Sequence, residues 1–268
     1  PNFEPTAVEQ TINRWIIGEL VSSTTRISRG LDAFQFNESA NELYQFVWGT
    51  FCDWYLEFAK PLLYGEDNLM KIETQSTAAF VLDQTLKLMH PFMPFISEEL
   101  WEQVGSNSET RKTALITADW PEYDEELVDE AAKTEMDWIV NLIQGIRSVR
   151  AEMNVPSAAK VPLFLLGATT QNQKRFMEHK ELIMRLARLN SVEIGSAGVV
   201  PPGSVQLVHE EAIVAMPITD FIDITKEKLR LEREATRAMG EVNKLEKKLE
   251  NKDFISKAPA AVVEEQRI

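Results

Sequence analysis

The feature that most constrains the fold is a heptad seam near the C-terminal end of the chain. Six apolar residues are separated by alternating steps of four and three: Leu231, Ala235, Ala238, Val242, Leu245 and Leu249. This 3.5-residue repeat is typical of a coiled-coil helix, because it keeps one narrow stripe facing a partner helix. We expect the charged helix to end at residues 251–253 and a second helix to begin near Ala260. Two helices joined by a short loop predict an antiparallel coiled-coil hairpin over residues 220–268, truncated in its return arm.

Residues 1–146 have the pattern of a helical bundle. Apolar residues recur there at steps of three and four, as in Ile12, Trp15, Ile16 and Leu20 and again in Leu43, Phe46, Val47, Phe51, Trp54 and Tyr55. Breaks are expected at Gly30, residues 61–67, residues 105–108 and Trp120-Pro121. Asn37 is a candidate N-cap for the helix that carries Tyr44, and Pro91 and Pro94 predict a short turn between two helices. The pattern predicts about five helices joined by short loops, a mainly α fold.

Residues 147–219 change character. Residues 161–167 form a compact apolar run that ends in glycine, and residues 171–189 have helical periodicity. Three short runs rich in β-branched residues follow, at 192–194, 205–208 and 212–216. A strand, a helix and then two or three strands predict a small α/β module that links the bundle to the hairpin.

Composition and charge exclude several classes of protein. Forty-two acidic against 28 basic residues leave a net charge of -14, which argues against a general nucleic-acid binder. Between Lys226 and Lys257 the balance reverses, with basic residues in excess, so a local phosphate contact stays open. No apolar run is long enough for a transmembrane helix. The single cysteine, Cys52, excludes an internal disulfide and a Cys-rich zinc site.

No catalytic constellation is visible in the sequence. The glycines form neither a Gly-x-Gly-x-x-Gly motif nor a P-loop, and the three histidines lie in different regions. Cys52, among aromatic neighbours, is expected to be a core residue, and His90 is expected to have a structural or capping role. We therefore predict that the chain has no catalytic residues, no metal site and no cofactor of its own, and that it acts by binding.

Cationic and aromatic residues are the candidates for that binding. Arg147 and Arg150 lie one helical turn apart on one face, where they suit phosphate or base contacts, with a solvated pair beside acidic neighbours as the alternative. Four lysines near the expected hairpin tip are candidates for phosphate contacts or for a solvated face: Lys244, Lys247, Lys248 and Lys252. Phe51 and Trp54 are candidates for stacking on bases, although their helical spacing favours core packing. The helix predicted before Leu189 has a basic bias that is expected to be solvated.

Four strings in the chain resemble motifs of the class I valyl-tRNA synthetase family. They are Phe51 to Glu57 followed by Lys60, Leu88 to Trp101, Ile146 to Pro156, and Met216-Pro217 leading through Asp223 to the heptad helix. The resemblance covers essentially the whole chain in order. The related isoleucyl enzymes tend to end in a Cys-rich zinc element, which one cysteine excludes, and the leucyl enzymes lack this hairpin. The heptad arm therefore favours the valyl family.

The resemblance implies an anticodon-binding bundle and a coiled-coil arm that bind and orient the tRNA for valine. The family's His-x-Gly-His and Lys-Met-Ser-Lys-Ser signatures are absent from this sequence. The chain is therefore expected to be the C-terminal fragment of a longer ligase that attaches valine to tRNA with ATP and Mg²⁺. A cytoplasmic monomer without membrane contact is also implied. The alternative, from another class, is an interaction scaffold whose heptad helix pairs with a partner coiled coil and which has no ligase activity.

Overall fold

The computed structural model describes residues 3–105 and 113–250, the last of these without its side chain. The chain divides into two compact units, Pro1–Leu142 and Ile143–Ile268. The three domains expected from the sequence, with borders after residues 146 and 219, stay a prediction. Within the described ranges, no helix is both long enough and apolar enough to cross a bilayer.

The first unit is built from helices. In chain order they are α1 (Thr11–Asp32), α2 (Phe36–Tyr44), a π-helical segment (Gln45–Tyr55), α3 (Leu56–Leu63), α4 (Leu69–Met89), α5 (Pro94–Gly105) and the beginning of α6 (Glu130–Glu152). The predicted turn between two helices is confirmed, since α4 ends just before His90 and α5 begins at Pro94. Proline explains this position, because its ring fits the first turn of a helix and disrupts the interior.

Helix α1 is the centre of the first unit, where it contacts α2, α4 and the π-helical segment. Its apolar stripe is buried, including Ile16, Leu20 and Ile27. Polar side chains are also buried in this interior, among them Asn13, which accepts a hydrogen bond from the Tyr55 hydroxyl and donates to Thr74. The burial of this polar group is tolerated because its hydrogen bonds are made within the core.

Two local predictions for the bundle are wrong. Gly30 does not end α1, which continues to Asp32, and instead lets α2 approach closely: a Cβ at Gly30 would collide with the hydroxyl of Ser39. Asn37 does not cap α2, because the helix begins one residue earlier, at Phe36, after Gln35 at the N-cap position. The error at Gly30 arises because the close packing of two helices is not contained in the local sequence pattern.

The second unit contains the end of α6 and a four-stranded mixed sheet. Its elements are β1 (Val161–Leu166), α7 (Thr170–Glu178), α8 (Lys180–Ala187), β2 (Leu189–Gly195), β3 (Ser204–His209), β4 (Ala212–Pro217) and α9 (Ile224–Glu250). The strand order is β2-β1-β4-β3, with β1 parallel to β2 and the other neighbours antiparallel. The helical pair α7–α8 supplies the crossover that a parallel pair of strands requires. The mainly α fold with a small α/β module is thus confirmed.

Helix α9 carries the heptad seam predicted from the sequence. Its apolar positions at Leu231, Ala235, Ala238 and Val242 are exposed in the described part of the chain. The expected hairpin loop and return helix, residues 251–268, lie outside the described residues, so the antiparallel hairpin stays a prediction.

Candidate nucleic-acid interface

The basic end of α9 is the first candidate surface. Lys244, Lys247 and Lys248 are exposed, and none of them forms an ion pair within the part of the chain that the structure describes. Closer to the start of α9, Arg230 pairs with Glu227 and Glu234, and Arg237 pairs with Glu241. These pairs neutralise the two arginines, whereas the positive charge of the three lysines stays accessible, as a phosphate contact requires. Lys252 lies outside the described residues.

Arg147, the first of the predicted arginines, is exposed at the C-terminal part of α6. Its Nε donates a 3.1 Å hydrogen bond to the carbonyl oxygen of Leu186, at the end of α8. This bond holds the Nε edge of the Arg147 guanidinium against the α/β module. Arg147 is therefore held in place by a neutral carbonyl group on one edge while the residue remains accessible to solvent.

Arg150, the second predicted arginine, is buried, and its contact with tRNA stays a prediction. The residue is only 7 % exposed, and its guanidinium donates to the carbonyl oxygens of Arg188, Pro156 and Ala159 at 3.3, 3.3 and 2.7 Å. Burial, and after it the charge of Arg188, lowers the pKa of Arg150 from its ordinary value. Arg150 thus braces the turn that follows α6 and is not itself an exposed contact for a base.

Phe51 and Trp54, the predicted stacking residues, lie in the core of the first unit. They are 6 % and 7 % exposed, and their rings pack against Tyr55 and Phe58 with centroids 5.7 and 5.6 Å apart. A base cannot reach a ring face that other side chains already cover. The burial of Phe51 and Trp54 therefore favours the core-packing interpretation of their helical spacing.

Other aromatic residues of the same segment are exposed. Tyr44 and Trp48 are 61 % and 59 % exposed, whereas Phe46 is buried. Tyr44 and Trp48 are four residues apart and therefore share one helix face, whereas Phe46, two residues from each, lies on the opposite face. Trp48 thus lies on the outer face, where it is a candidate base-stacking platform.

Tyr44 and Trp48 are not among the site residues predicted from the sequence. The signal that could have found them is their i, i+4 spacing, which alternates with the stripe of buried aromatics. Phe34 and Phe36, also exposed, form an edge-to-face pair with centroids 6.2 Å apart at the preceding turn.

His90 and Cys52, the residues considered for chemistry in the sequence, lie in surroundings that favour structural roles. His90 Nδ1 lies 2.9 Å from the Ser97 hydroxyl between α4 and α5, in agreement with a structural role. Cys52 is half-buried, and burial, then the charge of Asp53, raises the pKa of its thiol, which disfavours the reactive thiolate. Among the described residues, no group of three or more His, Cys, Asp or Glu side chains is arranged to hold a metal ion.

Comparison with known proteins agrees with this arrangement of helical bundle and basic arm. The family model described as the anticodon-binding domain of tRNA ligase matches residues 13–165, more than half of the chain. The chain therefore belongs to the tRNA ligases that carry this anticodon-binding domain. A second family model, the valyl tRNA synthetase tRNA binding arm, matches residues 223–268. The resemblance to valyl-tRNA synthetases seen in the sequence motifs is confirmed.

Individual relatives point to the same branch of that family. The chain is 46 % identical over 265 residues to a valine–tRNA ligase of Caulobacter vibrioides, covering 99 % of the chain and 29 % of that protein. It is 43 % identical over 267 residues to a valine–tRNA ligase of Brucella suis, covering 100 % of the chain and 29 % of the relative. The chain thus spans less than a third of the length of these curated relatives.

Proposed function

We propose that this chain is the tRNA-binding, C-terminal part of a valine–tRNA ligase. The observation that carries the proposal is the lysine-bearing surface of α9, formed by Lys244, Lys247 and Lys248, within the segment that matches the tRNA binding arm. An acidic protein of net charge -14 repels a polyanion over most of its surface. A group of accessible lysines on one helix is therefore where phosphates bind most favourably.

The two units would supply different kinds of contact. The α9 lysines, with Lys252 beyond the described residues, and Arg147 bind backbone phosphates, which position the RNA without reading its sequence. Tyr44 and Trp48 in the first unit offer aromatic faces to unstacked bases of an anticodon loop. Arg150 contributes indirectly, because it holds the main-chain carbonyls of Pro156, Ala159 and Arg188.

Binding of this kind serves catalysis elsewhere in the ligase. The energy of holding one end of the tRNA fixes where the other end enters a distant site, which replaces a chance encounter by an oriented one. We propose that the complete ligase joins valine to its tRNA with ATP and Mg²⁺, that the present chain holds no cofactor, and that the ligase acts as a cytoplasmic monomer.

The experiment is a double charge reversal on α9. Lys247→Glu with Lys248→Glu in this chain is expected to weaken binding of a valine tRNA transcript by roughly tenfold or more and to reduce the slope of log affinity against log salt by about two, one for each lost phosphate contact. The matched control, Lys174→Glu with Lys180→Glu, changes the net charge equally on α7 and α8.

In the complete ligase the α9 variant should raise the KM for tRNA and leave valine-dependent ATP–pyrophosphate exchange unchanged. Equal tRNA binding by wild type and the α9 variant would remove the arm from the interface.

A scaffold function remains the second candidate because the seam of α9 is exposed. Leu231 and Val242 are exposed apolar residues on this seam, and a groove lined by Met153, Ile222 and Ile224 adjoins its beginning. A scaffold predicts concentration-dependent dimers of this chain in sedimentation equilibrium, abolished by Leu231→Glu with Val242→Glu. A monomer at all concentrations that binds tRNA favours the ligase.

A further inference from the structure

Three arginines line one pocket in the second unit. The pocket has a volume of about 410 Å³ and is lined by three arginines, Arg147, Arg150 and Arg188, together with Ser157 and four apolar residues. No carboxylate is among the described residues that line it. We call it the arginine pocket. In a chain with 42 acidic residues, a pocket lined by three arginine residues and by no acidic residue is an exception that requires a reason.

Neutral groups hold Arg150 in place. Its guanidinium donates to the main-chain carbonyl oxygens of Pro156, Ala159 and Arg188. By contrast, Arg14 and Arg26 in the first unit pair directly with Asp129 and Glu42. A carbonyl fixes the orientation of a guanidinium without cancelling its charge. The positive charge of Arg188 also disfavours the charged form of Arg150, and an anion bound between them would relieve this repulsion.

Arg188 is held in an unfavourable backbone conformation. It follows α8 with φ 54° and ψ 61°, in the left-handed region where glycine is preferred at the end of a helix. Its carbonyl accepts hydrogen bonds from Val161 N and from Arg150, so the backbone here is tightly constrained. An arginine at such a position costs conformational energy that glycine would not, which points to a use for its side chain. That side chain is exposed and makes no hydrogen bond or ion pair within the described residues.

We infer that the arginine pocket binds a phosphodiester group of the tRNA backbone, with Arg147 and Arg188 as the contacting side chains. The planar guanidinium presents a fork of donors that matches two oxygens of one phosphate group. Arg150 adds buried positive charge and positions the Arg188 backbone. This inference rests on the proposed tRNA-binding function and adds a second contact region, separate from the α9 lysines.

The decisive variant is Arg188→Gly in the full chain, because glycine fits the left-handed conformation and removes only the side chain. Its melting temperature should equal or exceed that of the wild type. Its affinity for tRNA should fall by roughly tenfold, with a salt slope smaller by about one. The loss should be equal for valine tRNA and a non-cognate tRNA, since a backbone contact carries no sequence information. Arg188→Lys should restore part of the affinity, and Lys174→Gln, an equal charge change elsewhere in the unit, should leave it unchanged.

Each of the other possible results contradicts a different part of the proposal. If the wild-type chain binds tRNA and Arg188→Gly binds it equally well, the pocket is not part of the interface and the proposed function stands. If the loss is confined to one tRNA sequence, the pocket reads a base and not a phosphodiester. Inorganic phosphate is the probe for a free ligand: micromolar binding that Arg188→Gly abolishes, with tRNA binding intact, would reassign the pocket to free phosphate. If the wild-type chain binds no tRNA, the proposed function fails and this inference fails with it.

Discussion

The hydroxyl of Tyr55 donates a 2.9 Å hydrogen bond to Oδ1 of Asn13, and both side chains are buried in the first unit. Asn13 Nδ2 in turn donates to Glu73 and Thr74, so a single network joins α1, the π-helical segment and α4. We expect Tyr55→Phe to lower the free energy of unfolding by about 1–2 kcal/mol, because a buried acceptor loses its donor. Urea denaturation measures this change. Tyr44→Phe, which alters an exposed ring, should have no effect, and equal losses in the two variants would contradict the prediction.

Gly30→Ala tests the close approach of α1 and α2. The new Cβ would collide with the hydroxyl of Ser39, which is itself bonded to the Ile27 carbonyl. Overpacking of this kind costs about 1–3 kcal/mol, more than the gain of about 1 kcal/mol in helix propensity. Gly240→Ala on α9, where the Cβ meets nothing within 4 Å, is the matched control and should be neutral or slightly stabilising. Thermal unfolding compares the two, and Ser39→Ala in the Gly30→Ala background should recover stability.

Arg150→Met separates bracing from RNA contact. The substitution removes a donor from three main-chain carbonyls, and we expect a loss of about 2 kcal/mol in the stability of the second unit, since hydrogen bonds from charged donors are the stronger kind. Hydrogen exchange of the amides of β1 and α8 should report the loss locally. Arg150→Lys should be nearly as damaging, because one ammonium group does not reproduce the guanidinium fork. A variant of wild-type stability with weakened tRNA binding would instead return Arg150 to the interface.

Glu211 predicts an acid-sensitive step in the second unit. Its carboxylate accepts from the amide of Thr169 at 2.7 Å and from Asn172 Nδ2 at 3.0 Å, at the start of α7. These bonds, that of the Thr169 amide first, lower the pKa of Glu211 to about 2. Because the folded pKa lies below the unfolded one, the stabilisation is present above about pH 4.5 and is lost as the pH falls towards 2. Glu211→Gln should therefore melt lower than wild type at pH 7 and converge with it near pH 2. Parallel pH profiles of the melting temperature would disprove the assignment.

Much of the secondary structure could be predicted because it follows from local chemistry. The strand at Val161–Leu166 alternates buried side chains on one face, which a short apolar run ending in Gly167 indicates. Strands β3 and β4 coincide closely with the two short runs expected at 205–208 and 212–216. The helix expected over 171–189 is instead two helices that meet at His179. The sequence did not predict this break because no proline or glycine marks it.

The site residues were harder to predict because they depend on faces and partners. Trp48 and Trp54 are the same residue type on one helical segment, yet the first is exposed and the second is buried. Arg147 and Arg150 lie on one helix face, yet only Arg150 meets carbonyls from three separate positions in the chain. The helical periodicity did not single out Arg188, because its left-handed conformation appears only where α8 ends in the structure.

The sequence by itself determined the class of fold, the heptad seam and the family, because binary patterning, proline and glycine positions and short motifs are written in consecutive residues. Only the tertiary structure decided which cations are braces and which are available to an anion, and which aromatic rings are core. The physical reason is that burial and hydrogen bonding depend on segments distant in the chain: Arg150 is a structural residue because Ala159 and Arg188 place their carbonyl oxygens around it.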